Sequence, residues 1–193
     1  MKKITNGDQY LESLRGRNLL VYLFGEKIEN PVDHPIIRPS ANALAKTYDL
    51  AVSNPELASV ISPFTGERVS RFLHICTSAD DLVLQNKMQR RLGQLTGTCF
   101  QRCVGMDAFN SLYSVTYEMD EEKGTQYHKR LKSFLTKMHQ ENTVVGGAMT
   151  DVKGDRGLSP HQQKDKDLFV HITKRTKEGV YISGAKAHQT GCI

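Results

Sequence analysis

The sequence has no tryptophan, and no apolar run in it approaches the length needed to cross a bilayer. Its opening residues, Met-Lys-Lys-Ile-Thr-Asn-Gly-Asp, lead into a polar helix-like pattern, so no secretory leader is expected. Cysteine is scarce as well. Four in 193 residues are too few for a disulfide scaffold, and with no leader they point to a reducing cytoplasm. There a thiol serves as a ligand, a nucleophile or a small core residue. Charge of neither sign dominates: 26 Lys and Arg stand against 21 Asp and Glu, a net +5. Because the two signs interleave, a solvated surface is expected and neither nucleic acid nor membrane is an expected partner. The positive surplus still suits phosphate-bearing cofactors.

Helical patterns fill the first part of the chain. Residues 8–16 read as a short helix ending near Gly16, and Leu19–Phe24 as a brief apolar run, strand or buried extended segment, closed by Gly25. Pro31, Pro35 and Pro39 impose an extended connector carrying Asp33, His34 and Arg38, which suits a packed loop or a metal or phosphate contact. Ser40 is the expected N-cap of a helix over 41–52. Residues 62–71 read as a turn and connector. Ser78 with Asp81 forms a capping-box pattern opening a helix from Asp80 to about Leu95, whose Lys87, Arg90 and Arg91 face solvent or an anionic ligand. The acidic run 118–122 with Gly124 predicts a break before an amphipathic helix over 127–140. Past Asn142 the texture turns β-branched and glycine-rich. Residues 152–163 are turn-like, and 168–173 with 179–184 read as two strands of a hairpin around Lys177-Glu178-Gly179. An α+β chain follows, with a helical domain over 1–142 and the beginning of a β domain over 143–193. Two or three strands cannot close a sheet, so the chain is expected to be cut off early in that second domain.

One stretch concentrates chemistry: Cys99-Phe100-Gln101-Arg102-Cys103-Val104-Gly105-Met106-Asp107-Ala108-Phe109-Asn110. Phe100, Val104, Ala108, Leu112 and Val115 recur close to a helical period, which predicts a helix from Cys99 to Tyr117. On it Cys99 and Cys103, four apart, share a face. Two readings fit: adjacent ligands of a metal or iron–sulfur cluster, or two small buried core residues. Two thiols fill only half of the usual cluster set of four, so partners from elsewhere are required.

Several passages together resemble the 4-hydroxybutyryl-CoA dehydratase/vinylacetyl-CoA Δ-isomerase group of the 4-hydroxyphenylacetate 3-hydroxylase family. They are Phe24–Asn30, Val32–Pro35, Met88–Arg90, Cys99–Asn110, Gly147–Asp151, Lys153–Leu158 and Gly184–Gly191. The likeness extends from about Tyr10 to Gly191, and the two-cysteine motif distinguishes this group from its flavin monooxygenase relatives. The resemblance implies an acyl-CoA-dehydrogenase-like fold, FAD, a [4Fe-4S] cluster, an acyl-CoA substrate and a homotetramer. It makes Cys99 and Cys103 two of four cluster ligands, and puts a histidine, a third cysteine and the catalytic residues beyond residue 193. Cys192, His188 and Cys76 do not stand in for them.

The resemblance also implies flavin contacts at Met149, Thr150, Asp151, Lys153, Asp155, Arg156, His188, Gln189 and Thr190, and a substrate or cofactor contact at Arg90. These positions make chemical sense. Lys153-Gly154-Asp155-Arg156 reads as a turn with free N–H groups and two cations, suited to a pyrophosphate or flavin edge. The Thr190 hydroxyl suits the flavin N5 edge. The implied activity is reversible conversion of 4-hydroxybutyryl-CoA to crotonyl-CoA through a flavin-dependent ketyl radical, with isomerisation of vinylacetyl-CoA to crotonyl-CoA. A monooxygenase of the aromatic-hydroxylating branch, or a non-catalytic binding module stabilised by a cluster or metal, would explain fewer of these residues.

Overall fold

A computed structural model describes residues 2–189 of the chain. They fall into two compact units, one reaching to Gly146 and the other starting at Gly147. The first is helical with two small ladders; the second holds one hairpin and irregular segments. The class is therefore mixed α and β.

Helix α1 (Gly7–Arg15) starts under Asn6, whose side chain accepts the Gln9 N–H at 2.9 Å. Gly7 is needed there because a Cβ would meet the Asp49 carboxylate at 2.7 Å. Next, β1 (Val21–Leu23) and β2 (Glu26–Ile28) form an antiparallel hairpin. Its turn residues Phe24 and Gly25 both have positive φ, 50° and 88°, which matches the twist of a two-residue loop. Of the Leu19–Phe24 run only Val21–Leu23 is strand, with Leu20 and Phe24 exposed on either side of it.

The proline connector is shorter than the sequence suggests. Pro31–Asp33 forms a 3₁₀ turn, and α2 (Arg38–Ser53) already begins at Arg38. Ser40 is therefore not the N-cap. Pro39 occupies the first turn instead, where its missing N–H has no intrahelical partner to lose. α1 and α2 pack through Tyr10, stacked on Tyr48 at 5.5 Å, and through Leu14, Ala41, Leu44 and Ala45. After the single turn α3 (Pro55–Ala58), strands β3 (Ser59–Ile61) and β4 (Arg68–Ser70) pair antiparallel, so residues 62–71 close a ladder.

Helix α4 (Ala79–Thr96) has the expected capping box, and Gly97 ends it at φ 62°. Burial raises the Asp81 pKa, but N–H and O–H donors from Thr77 and Ser78, with His74 2.9 Å away, outweigh it and hold that carboxyl down at about 2. α5 (Cys103–Lys123) runs straight through the acidic stretch, and Gly124 ends it. The expected break falls at 124–126, between α5 and the next helix, and Asp120 spans it. Its carboxylate accepts the Tyr127 and His128 N–H groups at 2.7 and 3.0 Å, capping α6 (Tyr127–Glu141) from the preceding helix.

Two further clusters complete the core of this unit. One joins Leu50, Phe72, Met88, Leu92, Phe100 and Met106; the other joins Leu73, Ile75, Phe109, Leu135 and Met138. Asn142, in the left-handed region, fastens the unit together. Its Nδ2 donates to Ile4 O, its Oδ1 accepts from Ser70 N, and its carbonyl accepts the Tyr48 hydroxyl, at 2.7, 2.9 and 2.7 Å. His139 is fully buried. The Ser62 hydroxyl already accepts two backbone N–H groups, so its own proton faces His139 Nδ1 at 2.8 Å, leaving Nε2–H to donate to Leu73 O at 2.8 Å. Burial lowers the His139 pKa, so the ring is neutral in this network.

In the second unit, β5 (His171–Arg175) pairs antiparallel with β6 (Val180–Ser183) across the expected turn. The strand begins at His171. Leu168 lies outside it, and Phe169 makes only an isolated bridge to Ala185.

Candidate functional site

The cysteine loop departs from its expected geometry. The helix starts at Cys103, and Cys99 lies in the irregular segment before it, so the two thiols do not share a helical face. Gln101 is the cause. Its φ of 46° is left-handed, which no helix interior tolerates, and it turns the chain between the two cysteines. The buried stripe moves as a result. Met106 and Phe109 point into the core, while Leu112 and Val115, expected to be apolar contacts, are about half exposed.

Both thiols are free. Cys99 is exposed, with Sγ 3.4 Å from Gln101 Oε1; Cys103 is half-buried against the Phe72–Met88–Met106 cluster. Helix α5 has no side-chain N-cap, so its first N–H groups are left for another acceptor beside Cys103. An accessible sulfur, a sulfur at the first helical position and uncapped N–H donors form a chemically apt donor set for an anionic iron–sulfur group. It is a partial one. Among the described residues no three His, Cys, Asp or Glu side chains gather as a metal site. Gly105 keeps the helix start tight: a Cβ there would stand 2.1 Å from the Val145 carbonyl oxygen.

Between the cysteines lies Arg102, which sequence reasoning treated only as part of the motif. Its side chain is buried, 1% exposed, with the guanidinium 4.8 Å from the Tyr48 ring centroid and 4.9 Å from that of Phe72. Nη1 donates to Thr47 Oγ1 at 2.8 Å, and that hydroxyl donates to Leu44 O at 2.6 Å. Among the described residues Nη2 has no partner and no carboxylate pairs with the group. Nothing in the charge pattern could reveal this, because an arginine in a polar-looking loop is ordinarily solvated.

The second unit places two sequence-distant segments side by side. Asp151 and Lys186 form an antiparallel bridge, and Ala187 N donates to Thr150 O at 2.9 Å. Met149, Thr150 and Asp151 therefore run beside Lys186–Gln189. Lys186, which the sequence did not single out, binds the Asp151 carboxylate and donates to Met149 O at 3.2 Å. His188 has a φ of 58°, and Gln189 Nε2 donates back to Ala187 O at 2.8 Å. Thr190 lies outside the described residues.

The turn at 153–158 is less free than expected. The Asp155 N–H is taken by Gln163 Oε1 at 3.0 Å, and the Asp155 carboxylate accepts the Gly157 N–H at 2.9 Å. Gln163 Nε2 donates to the carbonyls of Asp155 and Leu158, so one buried amide holds the whole turn. Gly154 is required for it, since a Cβ would come within 2.7 Å of Gln163 Oε1. Lys153 and Arg156 remain exposed on an open cleft of about 290 Å³ that Asp151 and Phe169 also line. Arg90 is exposed on α4 and makes no ion pair among the described residues.

Comparison with known proteins places these features in a family. Residues 6–193 match the family described as 4-hydroxyphenylacetate 3-hydroxylase N terminal. The chain is 52% identical, over 98% of its length, to the 4-hydroxybutyryl-CoA dehydratase/vinylacetyl-CoA-Δ-isomerase of Clostridium aminobutyricum, and spans 39% of that protein. An oxygen-tolerant archaeal 4-hydroxybutyryl-CoA dehydratase from N. maritimus superposes with a TM-score of 0.90 at 65% identity, over 98% of this chain and 38% of that one. The oxygenase component of 4-hydroxyphenylacetate 3-monooxygenase, complexed with FAD and 4-hydroxyphenylacetate, shares the fold at a TM-score of 0.70 and 20% identity, over 94% of this chain and 37% of that one. The chain thus spans well under half the length of these relatives, and no helix among the described residues is long and apolar enough to cross a membrane. It belongs to the 4-hydroxyphenylacetate 3-hydroxylase family and matches that family's N-terminal region.

Proposed function

We propose that this chain supplies the corresponding part of a 4-hydroxybutyryl-CoA dehydratase/vinylacetyl-CoA isomerase, an enzyme using FAD and a [4Fe-4S] cluster in an acyl-CoA-dehydrogenase-like fold. The observation that carries the reading is the step in identity, 52% to the Clostridium dehydratase against 23% to a Geobacillus 4-hydroxyphenylacetate 3-monooxygenase. On this reading Cys99 and Cys103 are two of the four cluster ligands, and the remaining ligands and the catalytic acid–base groups belong to residues this chain does not contain. The substrate is an acyl-CoA, the assembly a homotetramer and the compartment the cytoplasm. The boundary between helical and β domains falls near residue 142.

Bound, the two groups would supply a Lewis acid for the leaving hydroxyl and a one-electron partner that acidifies the otherwise inert β-hydrogen, by way of a ketyl radical. The chain's own residues do the holding. Cys99 offers an exposed sulfur and Cys103 a sulfur at the head of α5, whose open N–H groups favour negative charge. Met149, Thr150 and Asp151, with His188, Gln189 and Thr190, provide polar edges for the flavin ring. Lys153 and Arg156 would meet its phosphates, the two cations neutralising charge from the exposed side of the cleft, while Asp155 shapes the turn that carries them. Arg90 on α4 is a further contact for an anionic group of substrate or cofactor.

Anaerobic reconstitution with iron and sulfide tests this. We expect the chain to take up iron with visible charge-transfer absorption below one full cluster, and the Cys99→Ala and Cys103→Ala variants to lose it. Equal iron uptake by the doubly substituted variant would rule out the assigned ligands. A stable full cluster with dehydratase turnover from this chain alone would rule out the partial site.

A further inference from the structure

A cation buried without a carboxylate is costly, and an apolar side chain of similar volume would fill the same space more favourably. Arg102 is such a cation, so its persistence between two cysteines calls for a role that a leucine or methionine could not perform. Its guanidinium carbon lies over the rings of both Tyr48 and Phe72, one from the α1–α2 cluster and the other from the α4–α5 cluster. The Thr47 hydroxyl fixes its orientation from a third side, and Thr47 is itself tied to the backbone of α2. On the other side of its backbone is Gln101, held in a left-handed conformation that a non-glycine residue adopts only under constraint. Phe100, tilted against Phe72 at 5.6 Å, pins the loop one residue earlier. Two adjacent anchors in the core therefore bracket the strained residue that turns Cys99 relative to Cys103.

We infer that Arg102 is a positioning residue for the cysteine pair: its guanidinium, flanked by two aromatic rings and bound to Thr47, holds the Gln101 turn and so sets the separation and direction of the two sulfurs. This deepens the proposed function and rests on its reading of Cys99 and Cys103 as one site. The lysine ammonium has no plane to stack and no fork of donors, so charge alone does not replace it.

A trivalent arsenical that needs both sulfurs at once reports this geometry directly. Phenylarsine oxide condenses with two thiols, forming two As–S bonds and releasing one water. In the full chain with Cys76 and Cys192 replaced, titration is expected to give one tight site, with T47V weakening it and R102M and R102K weakening it by at least about tenfold, as loss of an outer-shell partner does at metal sites. Iodoacetamide alkylation of each thiol separately, and the far-UV circular dichroism, stay as in the parent. A residue that merely stabilises the fold would leave chelation unchanged in every variant that remains folded, and full rescue by R102K would equally overturn the inference. Should R102M not fold, T47V decides: chelation equal to the parent overturns the role, and weaker chelation supports it. Absence of chelation in the parent itself overturns the joint site, and the proposed function with it, whatever the variants do.

Discussion

In the unit ending at Gly146 lie all the buried apolar side chains of the described residues, the last of them Met138. In the unit beginning at Gly147, β5 is exposed at every position, β6 at three of its four, and the buried residue is a glutamine. The first is held by apolar burial with polar fasteners at Asn142 and His139. The second is held by hydrogen bonds around Gln163 and by the Asp151–Lys186 pairing. The cysteine loop is anchored in the first by the buried Phe100 and Arg102, and the segments proposed to contact flavin lie in the second, largely open to solvent.

That contrast can be tested by paired deletions. Leu135→Ala empties a fully buried site in the first unit and is expected to cost about 3 kcal/mol, whereas Ile182→Ala on the exposed β6 should change stability by less than about 0.5 kcal/mol. Chemical denaturation of the two variants would show it; equal losses would mean that the hairpin is buried in solution. Next in size, Gln163→Ala leaves the Asp155 N–H and two carbonyls of the turn without their partner, a local loss of about 1–3 kcal/mol. Hydrogen exchange should accelerate at Asp155 while amides in α6 keep their protection. Acceleration in both would make the units one cooperative body.

The smallest effect is electrostatic. Because burial lowers the His139 pKa, its share of the stability is complete above its ordinary value of 6.5 and declines as the pH falls below it. Asp81 behaves similarly much lower down, its contribution present above the usual carboxylate range and lost as the pH falls through about 2. The denaturation midpoint of the first unit should therefore drop between pH 7 and pH 5. A flat midpoint would mean that the His139 network opens without cost.

Local chemistry was readable wherever it acts over a few residues. The Ser78–Asp81 capping box, the left-handed Gly124 ending α5, and the turn at Lys177–Gly179 follow from nearest-neighbour stereochemistry. Periodicity misplaced the start of α5 because Phe100 and Val104 keep the helical spacing across Gln101, whose left-handed backbone leaves no trace in a hydrophobic pattern. Ser40 lost its cap to Pro39 for a similar reason, two good signals lying on adjacent residues. Arg102, Gln163 and Lys186 were invisible because their roles depend on Thr47, Asp155 and Asp151, partners 55, 8 and 35 residues away.

Asn142 also has a bearing on how the molecule forms. Its side chain and carbonyl gather Ile4, Tyr48 and Ser70, across 138, 94 and 72 residues of sequence. During synthesis at about 5–20 residues per second, the first of these waits on the order of ten seconds for its partner. Through that interval α1 and α2 can pair locally, but the unit has no clasp. Its last connection closes over the longest loop, the slowest kind of contact to make.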